Sequence, residues 1–557
     1  MTVQKNRLAM WCGALVSGLL VTGTLVHNSP NIGYVRDEGI YFAAAREHAQ
    51  WIFLAANSPG RAFKDAEIRR HFRSNREHPS VIKFAAALAA IAWARPVAPP
   101  KSRDRANKSP GDAFAGGYWP LMSEGQAMRL PAQILSGLGV AALFAIGFSI
   151  ASWAGALAAS IGFVALPRVF FHSHLHAFDV PIAVACLFVA LFHRAFVKQP
   201  NTARMAGLGV CLGVALGIKH NAFFLPPLLV VHALYVWSIE TRKEAAARRL
   251  LAVRSIRLLV ALAFIAPLVA WFLWPWMWFN TLEHLRDYLA FHREHSYYNT
   301  EYFGENLNRP PFPISYPFFL TLATVPSAWL LLALVGIGWA LWKHVRQPDH
   351  ADAGTAVLIA IFAFFPMALI AWPSVPIFGG TKHWITAYPF LAWGAAFFFQ
   401  RANQVYPRLS LVLAGLIVVP GAMSIAQQPD LGLSQYNALV GGTRGAADLG
   451  LVRGFWGHAG VVRLFRAANE LKIDKHAKVY LHDIHPLAVE QYRRDGVWPG
   501  WQPSRLAEAD FAFFFPELHM RSDETKIWNE FGNVTPLAQT SINDVPVMMF
   551  YQRATKP

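Results

Sequence analysis

The chain has 557 residues, 54% of them apolar and only 15% charged, with a formal net charge of +17. This composition excludes an ordinary soluble enzyme, because several stretches run about eighteen or more residues without a charge, which a soluble core does not need. The basic excess does not call for nucleic acid, since membrane topology accounts for much of it, and basic residues at the interface also suit anionic lipids.

Leu8 to Val26 is uncharged and long enough to cross a bilayer. It is uniform and has no small-residue cleavage site, so it reads as a retained helix and not a signal peptide. Ala132 to Leu166 is long enough for two spans joined at Ala151-Ser-Trp153. Further spans are expected at Val180–Phe192, Ala206–Ile218, Ala222–Ile239, Leu258–Phe279, Ile314–Trp342, Thr355–Trp372, Trp384–Gln400 and Leu409–Ala426, about eleven crossings in all. Cys12, Cys186 and Cys211 all fall inside these spans, which leaves no disulfide for the loops and no metal-type cysteine spacing.

Basic residues fix the expected orientation. Arg194, Lys198 and Arg204, the cluster from Arg242 to Arg254, Lys343 and Arg346, and Arg401 and Arg408 all follow even-numbered crossings. They share a side with Lys5 and Arg7, which makes that side cytoplasmic. The expected product is a multi-pass protein of the plasma (inner) membrane, N-terminus inside and C-terminus outside.

Two outer loops are long. The first, 27–128, carries Asp37-Glu38, helical patterns at Glu38–Ala56 and Ser80–Ala94, and a Pro/Lys/Arg/Gly-rich insert from Lys101 to Gly117. The second, Asn280 to Pro313, mixes His, Arg and carboxylates and suits either a lid over a polar site or a plain connector. After Ala426 the charge density becomes ordinary. Strand-like runs at Lys478–His482, Asp510–Phe515 and Val547–Gln552 predict a small α/β domain over 427–557, of the usual size for an independent unit. No internal repeat of the kind found in transporters is visible.

The informative charges are cations on the outer side: Arg168, Lys219 and Lys382, each at the outer end of a span, with His172, His174, His176, His220 and His383 nearby. With Asp37, Glu38, Glu77, His78 and Asp179 they can form one polar cluster at headgroup depth. Cations there suit a phosphate-bearing lipid, and a carboxylate suits acid/base work. Plainer roles stay open. Lys219 can snorkel from a helix end, Asp179 before Val180-Pro181 can cap a helix, and His172-Ser-His174-Leu-His176 can be structural. Its alternate spacing would also place three imidazoles on one face of an extended segment, so a divalent metal at His172, His174 and His176 stays open.

The order of motifs resembles a known family. Asp37-Glu38-Gly-Ile-Tyr41 is followed by Glu77-His78-Pro79, Arg129-Leu-Pro131, His176-Ala-Phe-Asp179-Val-Pro181, Gly213–Lys219, and Gly379-Gly-Thr-Lys382-His383 with Tyr388-Pro389. The series is similar to the polyprenol-phosphate-sugar-dependent glycosyltransferases of the GT-C fold, above all the protein O-mannosyltransferase-like family 39, and to lipid A aminoarabinose transferases. The resemblance covers about Leu8 to Ala426. It implies an all-α polytopic GT-C membrane domain, residues 1–426, with the α/β domain outside. It also implies an inverting transfer of a sugar from a polyprenyl-phosphate-linked donor to a hydroxyl of a protein, lipid or glycan acceptor. In that frame Asp37 is the catalytic base, Glu38 supports it or contacts the acceptor, and Asp179, Lys219 and Lys382 serve the donor, Lys219 and Lys382 as phosphate ligands. Arg168 is a further candidate for the phosphate, and Glu77, His78 and His383 for substrate contact. His78-Pro79-Ser80, where the family often has Pro-Pro or Lys-Pro-Pro, and the insert from Ala98 to Trp119 are departures on the acceptor side. A transporter or flippase of a phospholipid or charged solute is the alternative, and a non-catalytic scaffold displaying the C-terminal domain is a third possibility.

Overall fold

The structure, a computed structural model, describes residues 2–96, 117–243, 245–347, 353–454 and 460–554. It is mostly helical, with a small sheet towards the C-terminus. Seven helices are long and apolar enough to cross a membrane, and three shorter apolar helices, Val81–Trp93, Thr202–Leu216 and Gly354–Ile370, stand beside them. The chain is a multi-pass membrane protein. Its count of full-length helices is lower than the number of expected spans for two reasons. One long helix, Glu124–Val164, contains a break, and some spans are shorter than the usual bilayer-crossing length.

The break falls where the sequence placed the join. Ala151 and Ser152 leave helical geometry, Ser152 at φ 53°, and the chain doubles back. The two arms meet through glycines: a Cβ on Gly147 would lie 2.2 Å from the Gly155 carbonyl oxygen, so only a bare backbone fits. The stretch expected as one span at Ile314–Trp342 is two helices, Tyr316–Thr324 and Ser327–Arg346. Val325 is extended and Pro326 lacks the N–H needed to continue the first helix. The expected Trp384–Gln400 span begins later, as Tyr388–Val405, behind two short helical turns at Gly380–His383 and Ile385–Ala387. Those turns hold Lys382 and His383 at the N-terminal end of the helix.

In the first long loop the chain forms Glu38–Asn57 and Val81–Trp93, which pack together and onto Glu124–Val164. The insert Lys101–Gly117 lies outside the described residues except for Gly117. The second loop is a helix, Thr281–Arg293, followed by a hairpin of β1 (Thr300–Tyr302) and β2 (Glu305–Leu307).

The C-terminal sheet contains β3 (Lys478–Leu481), β4 (Gln502–Pro503), β5 (Phe511–Phe514), β6 (Ala538–Ile542) and β7 (Val545–Gln552), in the order β4-β3-β5-β7-β6. β3 runs parallel to β4 and β5, whereas β7 is antiparallel to β5 and β6. The unbroken apolar run of β5 follows from burial on both faces. Phe513 packs with Phe465, Trp501 and Phe550 on one side, and Phe514 with Ile527, Phe531 and Tyr551 on the other.

One face of this sheet has a core of its own, around Phe514, and the other face shares its core with the segments near the N-terminus. Tyr34, Phe42, Ala45, Ala86 and Ala90 of the first long loop share one apolar cluster with Val461, Phe465, Tyr492, Trp501 and Phe550. Gly39 makes the approach possible, because a Cβ there would lie 2.5 Å from the Ala488 nitrogen. Residues just after Ala426 belong with the membrane body, whose main apolar cluster includes Leu433, Tyr436, Ala446, Leu451 and Val452.

Candidate active site

A cavity of about 840 Å³ opens between the membrane helices and the C-terminal unit. Its polar part is lined by Arg36, Asp37, Glu77, His78, Asp179, Lys219, Lys382 and His383, among others. Its other end is apolar, with Phe224, Leu225, Leu228, Phe362, Phe365 and Leu369. His292, Arg293, His295 and Tyr298 of the second long loop supply one wall, and Asp483, His485, Glu517 and His519 another.

Asp37 and Glu38 part company at this site. Asp37 is the residue before the helix Glu38–Asn57, half-buried, and lines the cavity. Glu38 is fully buried and is not part of the lining. Its carboxylate accepts two hydrogen bonds from Arg129, Nε to Oε1 at 2.8 Å and Nη2 to Oε2 at 2.6 Å. It also accepts the backbone N–H groups of Val35 and His176. Arg129 in turn donates to the carbonyls of Ile32 and Gly33. Consecutive residues at a helix start point about 100° apart, which turns one carboxylate to the cavity and the other inward. Glu38 thus ties together the segment before Asp37 and the segment before Asp179, and its carboxylate is closed off from the cavity.

Asp179 opens the helix Asp179–Lys198 and is held by Lys219, Nζ to Oδ1 at 2.6 Å. Lys219 follows the helix Thr202–Leu216, so the pair joins two helix ends at the cavity. Lys382 reaches the same cavity from its short turn and lies 5.0 Å over the Phe378 ring. Burial lowers its ammonium to about 8, while the charges of Asp37 and Asp179 hold it up. Glu77 accepts from Asn75 Nδ2 at 2.7 Å, and His78 stacks on Phe178 at 4.5 Å. Burial, followed by the positive charges of Lys219 and Lys83, keeps His78 neutral, and burial with Lys382 and Lys219 does the same for His383.

Other candidates lie elsewhere. Arg168 is buried outside the cavity lining, 5.1 Å over the Tyr436 ring. The histidine triplet is not extended, because Pro167–His174 is helical. His172 lies 3.6 Å from Asp179, His174 bonds the Phe170 carbonyl, and His176 stacks on Phe42. Helical geometry turns His172 and His174 apart, and no group of three or more metal-type ligands exists among the described residues.

Several neighbours were not singled out by sequence. Lys83 is buried and donates to the carbonyls of Asn75 (2.7 Å) and His78 (2.8 Å), fixing the loop that presents Glu77 and His78. A lysine inside an apolar helix was the available signal. The C-terminal wall had none, since Asp483 and Glu517 reach the cavity only through tertiary packing. Burial, with Asp483 and Glu301 adding to it, raises the Glu517 carboxyl to about 7.

No family model matches the chain, and no curated protein sequence matches it. Among solved structures, the chain is similar to the crystal structure of ArnT from Cupriavidus metallidurans bound to undecaprenyl phosphate. The likeness covers 97% of this chain and 98% of that one, at 15% identity and a TM-score of 0.46. At that level the likeness by itself assigns neither a fold family nor an activity.

Proposed function

We propose that the chain is a GT-C-type glycosyltransferase, resembling family 39, that moves a sugar from a polyprenyl-phosphate donor to a hydroxyl on the outer side of the membrane. The observation that carries the reading is one cavity that joins a carboxylate, two lysines and an apolar passage: Asp37, Lys219 and Lys382 at the polar end, Phe224, Leu228 and Phe365 at the other. The apolar end suits a polyprenyl chain entering sideways from the bilayer. Lys219 and Lys382 suit the phosphate and neutralise the charge that grows on it as the glycosidic C1–O bond breaks. A lipid phosphate leaves as a stable anion and needs no general acid. Asp37 accepts the proton of the attacking hydroxyl, which enters on the face of the sugar opposite the phosphate and inverts the anomeric carbon. The positive charge on the sugar in the transition state is oxocarbenium-like.

In this reading the N-terminus is cytoplasmic and the sheet unit is outside, where the acceptor protein, lipid or glycan meets the wall of Asp483, His485 and Glu517. A cysteine placed at Thr525, which is exposed, should react with an impermeant reagent added outside. The reading is tested by mass spectrometry of envelope lipids, glycans and proteins from cells with and without the chain. Loss of one hexose, pentose or aminosugar from a single acceptor class supports it. An unchanged glycan profile, with altered lipid flux in proteoliposomes, would favour a flippase instead.

A further inference from the structure

The polar part of the cavity contains more polar atoms than its own residues satisfy. His78 Nδ1, His220 Nδ1, Asn221 Oδ1 and His383 Nε2 are each buried with no hydrogen-bond partner among the described residues, and all four side chains line the cavity. A buried polar atom without a partner costs about 1–3 kcal/mol, so a group of four in one cavity points to a ligand that supplies the missing partners.

His383 shows which kind of partner is missing. The Phe378 backbone beside the ring favours a proton on it, as a carbonyl acceptor does. A carbonyl can only accept, so the ring's proton is favoured on the nitrogen that faces it, and in a neutral imidazole the unpartnered Nε2 then serves as an acceptor. Burial and the charges of Lys382 and Lys219 disfavour a second proton on the ring. Asn221 Oδ1 is an acceptor by its chemistry. The vacancy is therefore for donors. A lipid phosphodiester offers only acceptor oxygens and cannot fill it, whereas sugar hydroxyls can.

We infer that His383 and Asn221, with His78 and His220, form the subsite that reads the hydroxyls of the donor's glycosyl group, while Lys219 and Lys382 hold its phosphate. The inference rests on the transferase reading above. It divides two neighbours in sequence between two parts of one substrate: Lys382 donates to phosphate and His383 accepts from the sugar. Imidazole rings turn readily about their terminal torsion, so a hydroxyl can be met without backbone movement.

The test measures binding of four lipids to the full chain in nanodiscs: undecaprenyl phosphate alone, and the same lipid carrying mannose, glucose or aminoarabinose. The glycosylated lipid that binds wild type best is then compared with the sugar-free lipid in variants. His383→Ala is expected to weaken the glycosylated lipid by about threefold to tenfold, the usual worth of one neutral hydrogen bond, and to leave the sugar-free lipid unchanged. Asn221→Leu should act the same way, and His383→Gln, which keeps an acceptor oxygen, should recover most of the loss. Equal weakening of both lipids in His383→Ala would assign the imidazole to the phosphate and overturn the inference, as would unchanged binding of both. If wild type binds none of the four lipids, the transferase reading itself fails, an outcome seen before any variant is made.

Discussion

Two adjacent regions treat the same chemical group in opposite ways. Around Glu38, a carboxylate is sealed from water and saturated by Arg129 and two backbone N–H groups. Around Asp37, one residue earlier, a carboxylate faces a cavity together with lysines and an apolar end. A buried ion pair with every acceptor site filled has no capacity left for proton transfer. It serves instead to hold the loop and the Asp179 segment in register. Adjacent carboxylates in a sequence are therefore not a catalytic dyad until the helix geometry between them is known.

The largest expected effect comes from breaking the sealed region. Arg129→Ala leaves Glu38 buried and uncompensated, and stability should fall by about 3–5 kcal/mol, read as a lower melting temperature in detergent. Glu38→Gln should likewise lower stability, whereas Asp37→Asn should melt like wild type. In the cavity, Asp37→Asn should reduce turnover by about a hundredfold or more while donor binding persists. If instead Glu38→Gln lost turnover at unchanged stability, the roles of the two carboxylates would be reversed.

Smaller effects concern the phosphate end. Lys219→Ala should weaken donor binding by about tenfold, the worth of one charge-assisted contact, and should also free the Asp179 carboxylate from its 2.6 Å partner. Unchanged binding would return Lys219 to a snorkelling role. The smallest effect is a pH dependence. In the proposed role Lys382 binds phosphate as an ammonium, and burial lowers its pKa to about 8. Donor affinity should be flat below pH 8 and fall as pH rises above it, until the higher pKa imposed by bound phosphate is passed. Lys382→Arg keeps the charge at all these pH values and should flatten the profile.

Much of this was legible in the sequence. Charge-free runs gave the helices, Ala151-Ser-Trp153 gave the turn between two of them, and motif order brought Asp37, Glu77, His78, Asp179, Lys219, Lys382 and His383 to the cavity they line. The signals were local: hydropathy, helix ends and cations beside them. What escaped was tertiary. The Glu38–Arg129 pair spans 91 positions in the chain. The helical state of Pro167–His174, which separates the three histidines, was masked by an alternating pattern that also fits a strand. Asp483 and Glu517 look like ordinary surface acids of a small domain, and only its docking through Gly39 and Tyr492 brings them to the cavity wall.

The most direct measurement follows a labelled sugar. Purified chain in nanodiscs is given undecaprenyl phosphate carrying a radiolabelled sugar, together with envelope acceptors, and label on lipid and acceptor is counted over time. The expected result is label moving to an acceptor with stoichiometric release of sugar-free undecaprenyl phosphate, at a rate about a hundredfold lower in Asp37→Asn, whose lipid binding and melting temperature match wild type. Transfer by Asp37→Asn at the wild-type rate would contradict the account.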